Sequence, residues 1–326
     1  MPVCVSQETD VSSFIVRRVG SGLLTLCLLS IIAFIGAEIL PGNPARAILG
    51  NDASEEAVAQ LSIQLGLNRP ATFRYLDWLG HAVTGDLGIS FAQKEPVWGM
   101  LVASGGRSLM LGIVTLIIIV PLSILAGLWS ARQEGSVLDH FVTFGGMALM
   151  VVPGFVVAIV LILLVGVALP IFPITAMPPH GATLTEQLYY LLLPAIVLST
   201  TLFGYLARVI RANALEVFRS DYVRTASLKG LPPGVVIRRH VFKNAMAPSM
   251  IVIATQVGYL LGGLIIVEKV FNYPGLGVMM LRAAEYNDMP VLEAGIMLIG
   301  FIYVFLTLAA DLVQRLMDPR LQKAVA

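Results

Sequence analysis

SLMLGIVTLIIIVPLSILAGLWS, residues 108–130, runs for 23 residues without an Asp, Glu, Lys or Arg. An α-helix rises about 1.5 Å per residue and a bilayer core is about 30 Å thick, so about 20 such residues span it. Outward from this stretch, five more segments have the same character: 19–40, 141–169, 188–207, 245–267 and 291–310. The third, fourth and fifth spans are equally free of charge, whereas the first carries Glu38 and the sixth Glu293, each near one end. The 141–169 segment, at 29 residues, is long enough to tilt or to extend beyond the hydrocarbon. The pattern predicts an all-α polytopic membrane protein with about six spans.

Composition agrees. The 326 residues are 57% hydrophobic and 13% charged, with a mean hydropathy of +0.85. Soluble domains carry about 25% charged residues, so much of this surface is suited to lipid. A net charge of +1 gives no reason to expect nucleic acid as a partner. Cys4 and Cys27 cannot build a disulfide framework and read as unpaired thiols. Arg17 and Arg18 before residues 19–40 imitate a secretory signal. Yet 22 apolar residues exceed the roughly 7–15 of such a core, and no small-residue cleavage site follows. Pro41-Gly42-Asn43-Pro44 reads as a helix stop, and the segment as an uncleaved first span.

Orientation follows from the loops. With the N-terminus inside, 14 of the 21 Lys and Arg residues fall on the inner side. The outer ones are Arg46, Arg69, Arg74, Lys94, Arg107, Lys269 and Arg282, most of them spread through one long loop. Basic residues accumulate on the cytoplasmic side, so both termini are expected there. The layout is then an inner tail 1–18, a first span 19–40, an outer loop 41–107, a membrane core 108–313 and an inner tail 314–326. Pro121, Pro153, Pro194 and Pro248 lie in the middle four spans. They fit packing kinks or helices shaped around a pathway.

The loop 41–107 reads as two short amphipathic helices. Ser54 can cap the first, Glu55 and Glu56 suit its first turn, Val58, Leu61 and Leu65 share a face, and Gly66 stops it. Pro70 suits the first turn of the second, Phe73, Leu76, Leu79 and Val83 form one stripe, and Gly85 ends it. The loop fits a cap over the bundle or a docking surface for a soluble partner.

The loop 208–244 is strongly basic. It holds Arg208, Arg211, Arg219, Arg224, Lys229, Arg238, Arg239 and Lys243 against Glu216 and Asp221. Asp221 can cap a short helix through Lys229, Gly230 supplies a left-handed stop, and Pro232-Pro233 starts another helix. The projection fits an anchor to anionic headgroups or a rigid lever held by a cytoplasmic partner. An electrostatic anchor needs no glycine at a defined helix stop.

Asp221-Tyr222-Val223-Arg224-Thr225-Ala226-Ser227-Leu228-Lys229-Gly230-Leu231, followed by Arg239-His240 and Asn244-Ala245-Met246-Ala247-Pro248, resembles the signature loop of ABC importer permeases, closest to the dipeptide, oligopeptide and nickel branch. Arg224-Thr225-Ala226 stands where the general motif has Glu-Ala-Ala, and the proline falls later; both departures are similar to the peptide branch. Leu40-Pro41-Gly42-Asn43-Pro44-Ala45-Arg46, Gly85-Asp86-Leu87-Gly88-Ile89-Ser90, the run from Val267 to Gly277 and Asp318-Pro319-Arg320 extend the likeness over nearly the whole chain.

The resemblance implies a subunit of a bacterial inner-membrane importer of peptides or peptide-like solutes. It would pair with a homologous second permease, two ATP-binding subunits that carry the ATP and Mg, and an extracytoplasmic solute-binding protein. Asp221, Tyr222, Arg224, Thr225, Ala226, Lys229, Gly230 and Leu231 would couple to an ATPase subunit. Glu268, Phe271, Tyr273, Pro274 and Gly275 would line the outer mouth. Phe73, Leu76 and Asp86 would help seat the binding protein. No cofactor of the chain's own is implied.

The residues themselves offer no catalytic set. No G-x-x-x-x-G-K-[S/T] phosphate loop is present, and His81, His140, His180 and His240 stand apart, without metal-ligand spacing. Glu293, near one end of its span, is expected to be solvated. A six-span secondary transporter or channel is the alternative. Such proteins usually carry ionisable groups near mid-membrane or inverted repeats, and neither shows in this sequence.

Overall fold

The structure, a computed structural model, describes residues 6–39, 42–50, 52–179 and 181–317. Cys4, Leu40, Pro41, His180 and the C-terminal run with Asp318-Pro319-Arg320 and Lys323 lie outside the described residues. The helices in chain order are α1 (Ser6–Ile39), α2 (Pro44–Leu49), α3 (Glu55–Gln64), α4 (Ala71–Val83), α5 (Val97–Arg132), α6 (Val137–His140), α7 (Gly146–Val151), α8 (Gly154–Leu161), α9 (Leu184–Phe218), α10 (Asp221–Leu228), α11 (Pro233–Val236), α12 (Phe242–Val270), α13 (Leu276–Glu285) and α14 (Met289–Met317). Wider π turns, Phe141–Gly145, Ile162–Ala168 and Ile237–Val241, interrupt the third segment and precede α12. Among the described residues no strand forms, only an isolated antiparallel bridge between Ile89 and Pro96.

Four continuous helices are long and apolar enough to cross a membrane: Val16–Ile39, Val97–Arg132, Leu184–Phe218 and Met289–Leu312. Two bent pairs bring the number up to the six expected when each pair is counted as one span. Val137–Val151 and Gly154–Ala168 meet at 103°, and α12 bends by 50° between Leu260 and Gly262. The first bend falls at Pro153, one of the four prolines expected to kink or shape their spans. Proline disfavours helical backbone in the residue before it. Val152 is accordingly extended, at φ −74° and ψ 123°, and Pro153 caps α8. Pro121, Pro194 and Pro248 stay inside their helices.

The chain divides into two compact units. The first comprises residues 1–107 and 275–308. Within it α4 lies along α1: Phe34 and Tyr75 meet edge to face at 5.4 Å, Ser30 and Tyr75 share a hydrogen bond of 2.9 Å, and Arg74 pairs with Glu38. Ser54 caps α3 as expected, accepting from the Ala57 N–H. Pro70 takes the cap position of α4, one residue before its first turn. Glu293 is buried, 5% exposed, within electrostatic reach of Arg74 and Glu38. This corrects the expectation of a solvated residue: closeness to a span's end does not expose a side chain that neighbouring helices cover.

The second unit, residues 108–274 and 309–326, is organised around α9. In its most apolar stretch 61% of residues are buried, against at most 33% in the other continuous spans. Leu191, Leu193, Val197 and Leu198 pack with Leu111, Leu260, Leu264 and Phe271. Farther along, Leu206 and Ile210 meet Ile119, Met246 and Ile253. By contrast Ile117, Leu125, Ile159 and Leu163 are exposed, as lipid-facing side chains are.

Candidate functional site: a short helix seated on an apolar floor

α9 continues well past its apolar stretch and ends at Phe218. Ser220 is extended, at φ −73° and ψ 148°, and occupies the cap position of α10. Its hydroxyl turns back to the Val217 carbonyl. Asp221, expected as the cap, is instead the first helical residue, where its charge favours the N-terminal end of the helix dipole.

The other end of α10 closes as the sequence foretells. Gly230 has φ +77°. Its N–H donates to the Ser227 carbonyl at 3.0 Å, and the Leu231 N–H to the Ala226 carbonyl at 3.4 Å. Together these form a Schellman stop, which satisfies carbonyls left over at the helix end. Pro232 then caps α11, with Pro233 at its first position.

α10 has two unlike faces. Val223 and Ala226, three residues apart, are 4% and 6% exposed. They pack with Ala131 of α5, Ala214 of α9, Val236 of α11, and Val241 and Ala245. Asp221, Tyr222, Arg224, Thr225, Lys229, Gly230 and Leu231 are exposed, and so is Leu228 at 81%. Of the eight coupling residues expected from the sequence, only Ala226 faces inward. An exposed aromatic, an exposed leucine and Arg224 on an eight-residue helix, with Lys229 at its C-terminal cap, suit insertion into a groove better than solvation alone.

The basic character of the loop is partly neutralised by residues that sequence reasoning missed. Asp139 is 4% exposed. Its carboxylate accepts from Ser130 Oγ, from the Gly135 N–H at 2.9 Å, and from Nε and Nη2 of Arg211, the latter at 2.7 Å. Arg219 Nη2 donates to Glu134 at 2.7 Å. A signal was available: Ser136 and Asp139 have helix-capping spacing, and the Asp139 N–H does donate to Ser136 Oγ at 3.2 Å. A carboxylate entering an apolar run also calls for a partner.

Of Glu268, Phe271, Tyr273, Pro274 and Gly275, the residues expected at an outer mouth, all but the half-buried Pro274 are buried within this chain. Glu268 and Phe271 are fully buried and Tyr273 is 5% exposed. Ser108 Oγ donates to Glu268, and the Phe271 carbonyl accepts from the Ala176 N–H at 2.8 Å. The reason is the aromatic content of the segment, since Phe271 and Tyr273 join the main apolar cluster of the second unit. In the first unit, Phe73 and Leu76 are exposed at 58% and 60%. Arg74, Tyr75, Trp78 and Leu79 form the half-buried side of α4, so of the stripe read from the sequence Phe73, Leu76 and Val83 are exposed. Asp86 is exposed and accepts from the Gly88 N–H at 3.0 Å. Among the described residues no group of three His, Cys, Asp or Glu could hold a metal.

The family described as "Binding-protein-dependent transport system inner membrane component" matches residues 119–323, and its N-terminal counterpart matches residues 11–112. The chain is 31% identical over 310 residues to a probable peptide ABC transporter permease protein of Sinorhizobium fredii, covering 95% of this chain and 99% of that one. It is 33% identical over 347 residues to a dipeptide transport system permease protein of Alkalihalophilus pseudofirmus, covering 95% and 99%. With the dipeptide transport system permease protein of Escherichia coli K12 the identity is 33% over 335 residues, covering 95% and 98%. Long matches at this identity, on an all-helical chain with up to six spans, leave one assignment: the protein belongs to the family of inner-membrane components of binding-protein-dependent transport systems.

Proposed function

We propose that this chain is one of two homologous permease subunits of an ATP-driven importer of peptides or peptide-like solutes in a bacterial inner membrane. Two ATPase subunits, which bind ATP and Mg, grip it from the cytoplasm. An extracytoplasmic binding protein delivers the solute and sets most of the specificity. The peptide class rests on the names of the relatives. Both termini are cytoplasmic on this reading, in line with the distribution of Lys and Arg.

The observation that carries it is the two-faced helix α10. One face, Val223 and Ala226, is set in the core, while Tyr222, Arg224, Thr225, Leu228 and Lys229 project from it. A groove on an ATPase subunit takes the projecting face. ATP closes the two ATPase subunits, α10 is displaced, and the permease pair rocks so that access alternates between the two sides of the membrane. ATP shifts that equilibrium because the ATPases bind it more tightly in one arrangement than in the other.

The test is a Leu228→Cys variant labelled with a photoreactive probe in inverted membrane vesicles of a strain producing the whole system. The expected result is a crosslink to an ATPase subunit, lost when that subunit is deleted. Crosslinks to lipid alone would overturn the reading.

A further inference from the structure

Displacing α10 achieves nothing unless the movement reaches the spans. The floor beneath it includes small apolar side chains, Ala131, Ala214 and Ala245, and such contacts can slide. A two-pronged guanidinium–carboxylate pair held by further hydrogen bonds fixes both distance and angle. One such joint lies among the described residues of the second unit. Asp139 receives Ser130 from the end of α5, Gly135 from the following turn and both prongs of Arg211 from α9.

Asp139 opens the segment that later turns by 103° at Val152-Pro153. That segment touches α9 at a second point. A Cβ on Gly146 would lie 2.9 Å from the Gly204 Cα, so the two backbones are in contact there. Gly146 lies seven residues after Asp139, and Gly204 seven residues before Arg211. The two stretches therefore run antiparallel and are fastened in register at two places. Beyond Arg211, the same helix leads into α10.

We infer that Asp139 is a positioning residue of the transport cycle: its pair with Arg211 locks the start of the bent third segment to α9, so that a displacement of α10 is delivered to the part of the unit that bends at Pro153. This rests on the reading of α10 as the helix moved by the ATPases. The exposed pair between Arg219 and Glu134 is auxiliary, since exposed ion pairs contribute little.

The experiment uses the assembled transporter, purified with its partner subunits and reconstituted in proteoliposomes with loaded binding protein. ATP hydrolysed per solute imported is measured for Asp139→Asn, for the charge-free pair Asp139→Leu with Arg211→Met, and for Gly230→Val. Removing both charges together avoids leaving one of them buried and alone. The expected result is a rise of about fivefold or more in ATP consumed per solute in both clasp variants, with assembly and melting temperature of the charge-free pair close to the parent's. A clasp that merely supported the fold would lower yield and melting temperature and leave the ratio unchanged. An unchanged ratio in the charge-free pair, while Gly230→Val uncouples, overturns the inference and leaves the role of α10 standing. An unchanged ratio in Gly230→Val as well overturns the role of α10, and the inference with it.

Discussion

Gly204 and Gly146 meet backbone to backbone: a Cβ on Gly204 would fall 1.9 Å from the Gly146 carbonyl oxygen. Small residues permit this approach between helices in lipid, where dispersion and close packing replace the hydrophobic effect as the source of association. Gly204→Ala therefore pushes the third segment away from α9, because the obstacle is backbone and cannot rotate aside. Overpacking of this kind costs about 1–3 kcal/mol or more. The expected outcome is a lowered melting temperature of the detergent-solubilised protein. Gly36→Ala, where a Cβ meets nothing within 4 Å, should leave it unchanged. Equal melting temperatures for the two variants would show that the helices are not in contact there.

Gly230 presents the opposite case. A Cβ there meets nothing within 4 Å, yet φ is +77°. Left-handed backbone costs an L-residue about 1–2 kcal/mol, and more for a β-branched one. Gly230→Val thus strains only the Schellman stop of α10. The expected variant inserts and folds but hydrolyses ATP without matching uptake. Uptake and ATPase rates measured together check this, and normal uptake would remove Gly230 from the coupling scheme.

The two faces of α10 should respond differently to a charge. Val223→Asp buries a carboxylate in an apolar cluster, at a cost of several kcal/mol, so the protein should express poorly. Leu228→Asp alters a side chain that is 81% exposed, so yield and melting temperature should match the parent's while the ATPase subunits no longer co-purify. Retention of those subunits by Leu228→Asp would place their contact elsewhere.

These contrasts show what the sequence could and could not announce. The spans were legible because runs free of charge have one stable environment, and α10 because Gly230 and Pro232-Pro233 are local signals. The bend at Val152-Pro153 was not legible: four prolines sit in four apolar segments, and which one breaks its helix depends on what the freed backbone meets in three dimensions. Nor was the pair between Asp139 and Arg211, which are 72 residues apart. Periodicity located an apolar stripe on α4 but assigned it no direction. Tyr75, which can both stack on Phe34 and bond Ser30, faces inward in place of Phe73 and Leu76.

Asp288 yields the last prediction, in the first unit. It is 3% exposed and lies just before α14. Its carboxylate accepts from Ser90 Oγ, from the Phe91 N–H at 3.0 Å and from the Ala92 N–H at 3.2 Å. Three donors nearly 200 positions away in the chain thus depend on one side chain, and two of them are backbone groups with no rotamer to change. Asp288→Ala leaves them without that acceptor, and buried unsatisfied groups cost about 1–3 kcal/mol each. The loop around residues 84–96, on the outer side in the proposed orientation, should then open to protease well before the spans unfold. Asp288→Asn, which keeps an acceptor oxygen, should fall between the two. Limited proteolysis of sealed right-side-out vesicles ranks all three, and equal cleavage rates would mean that this loop is held by other contacts.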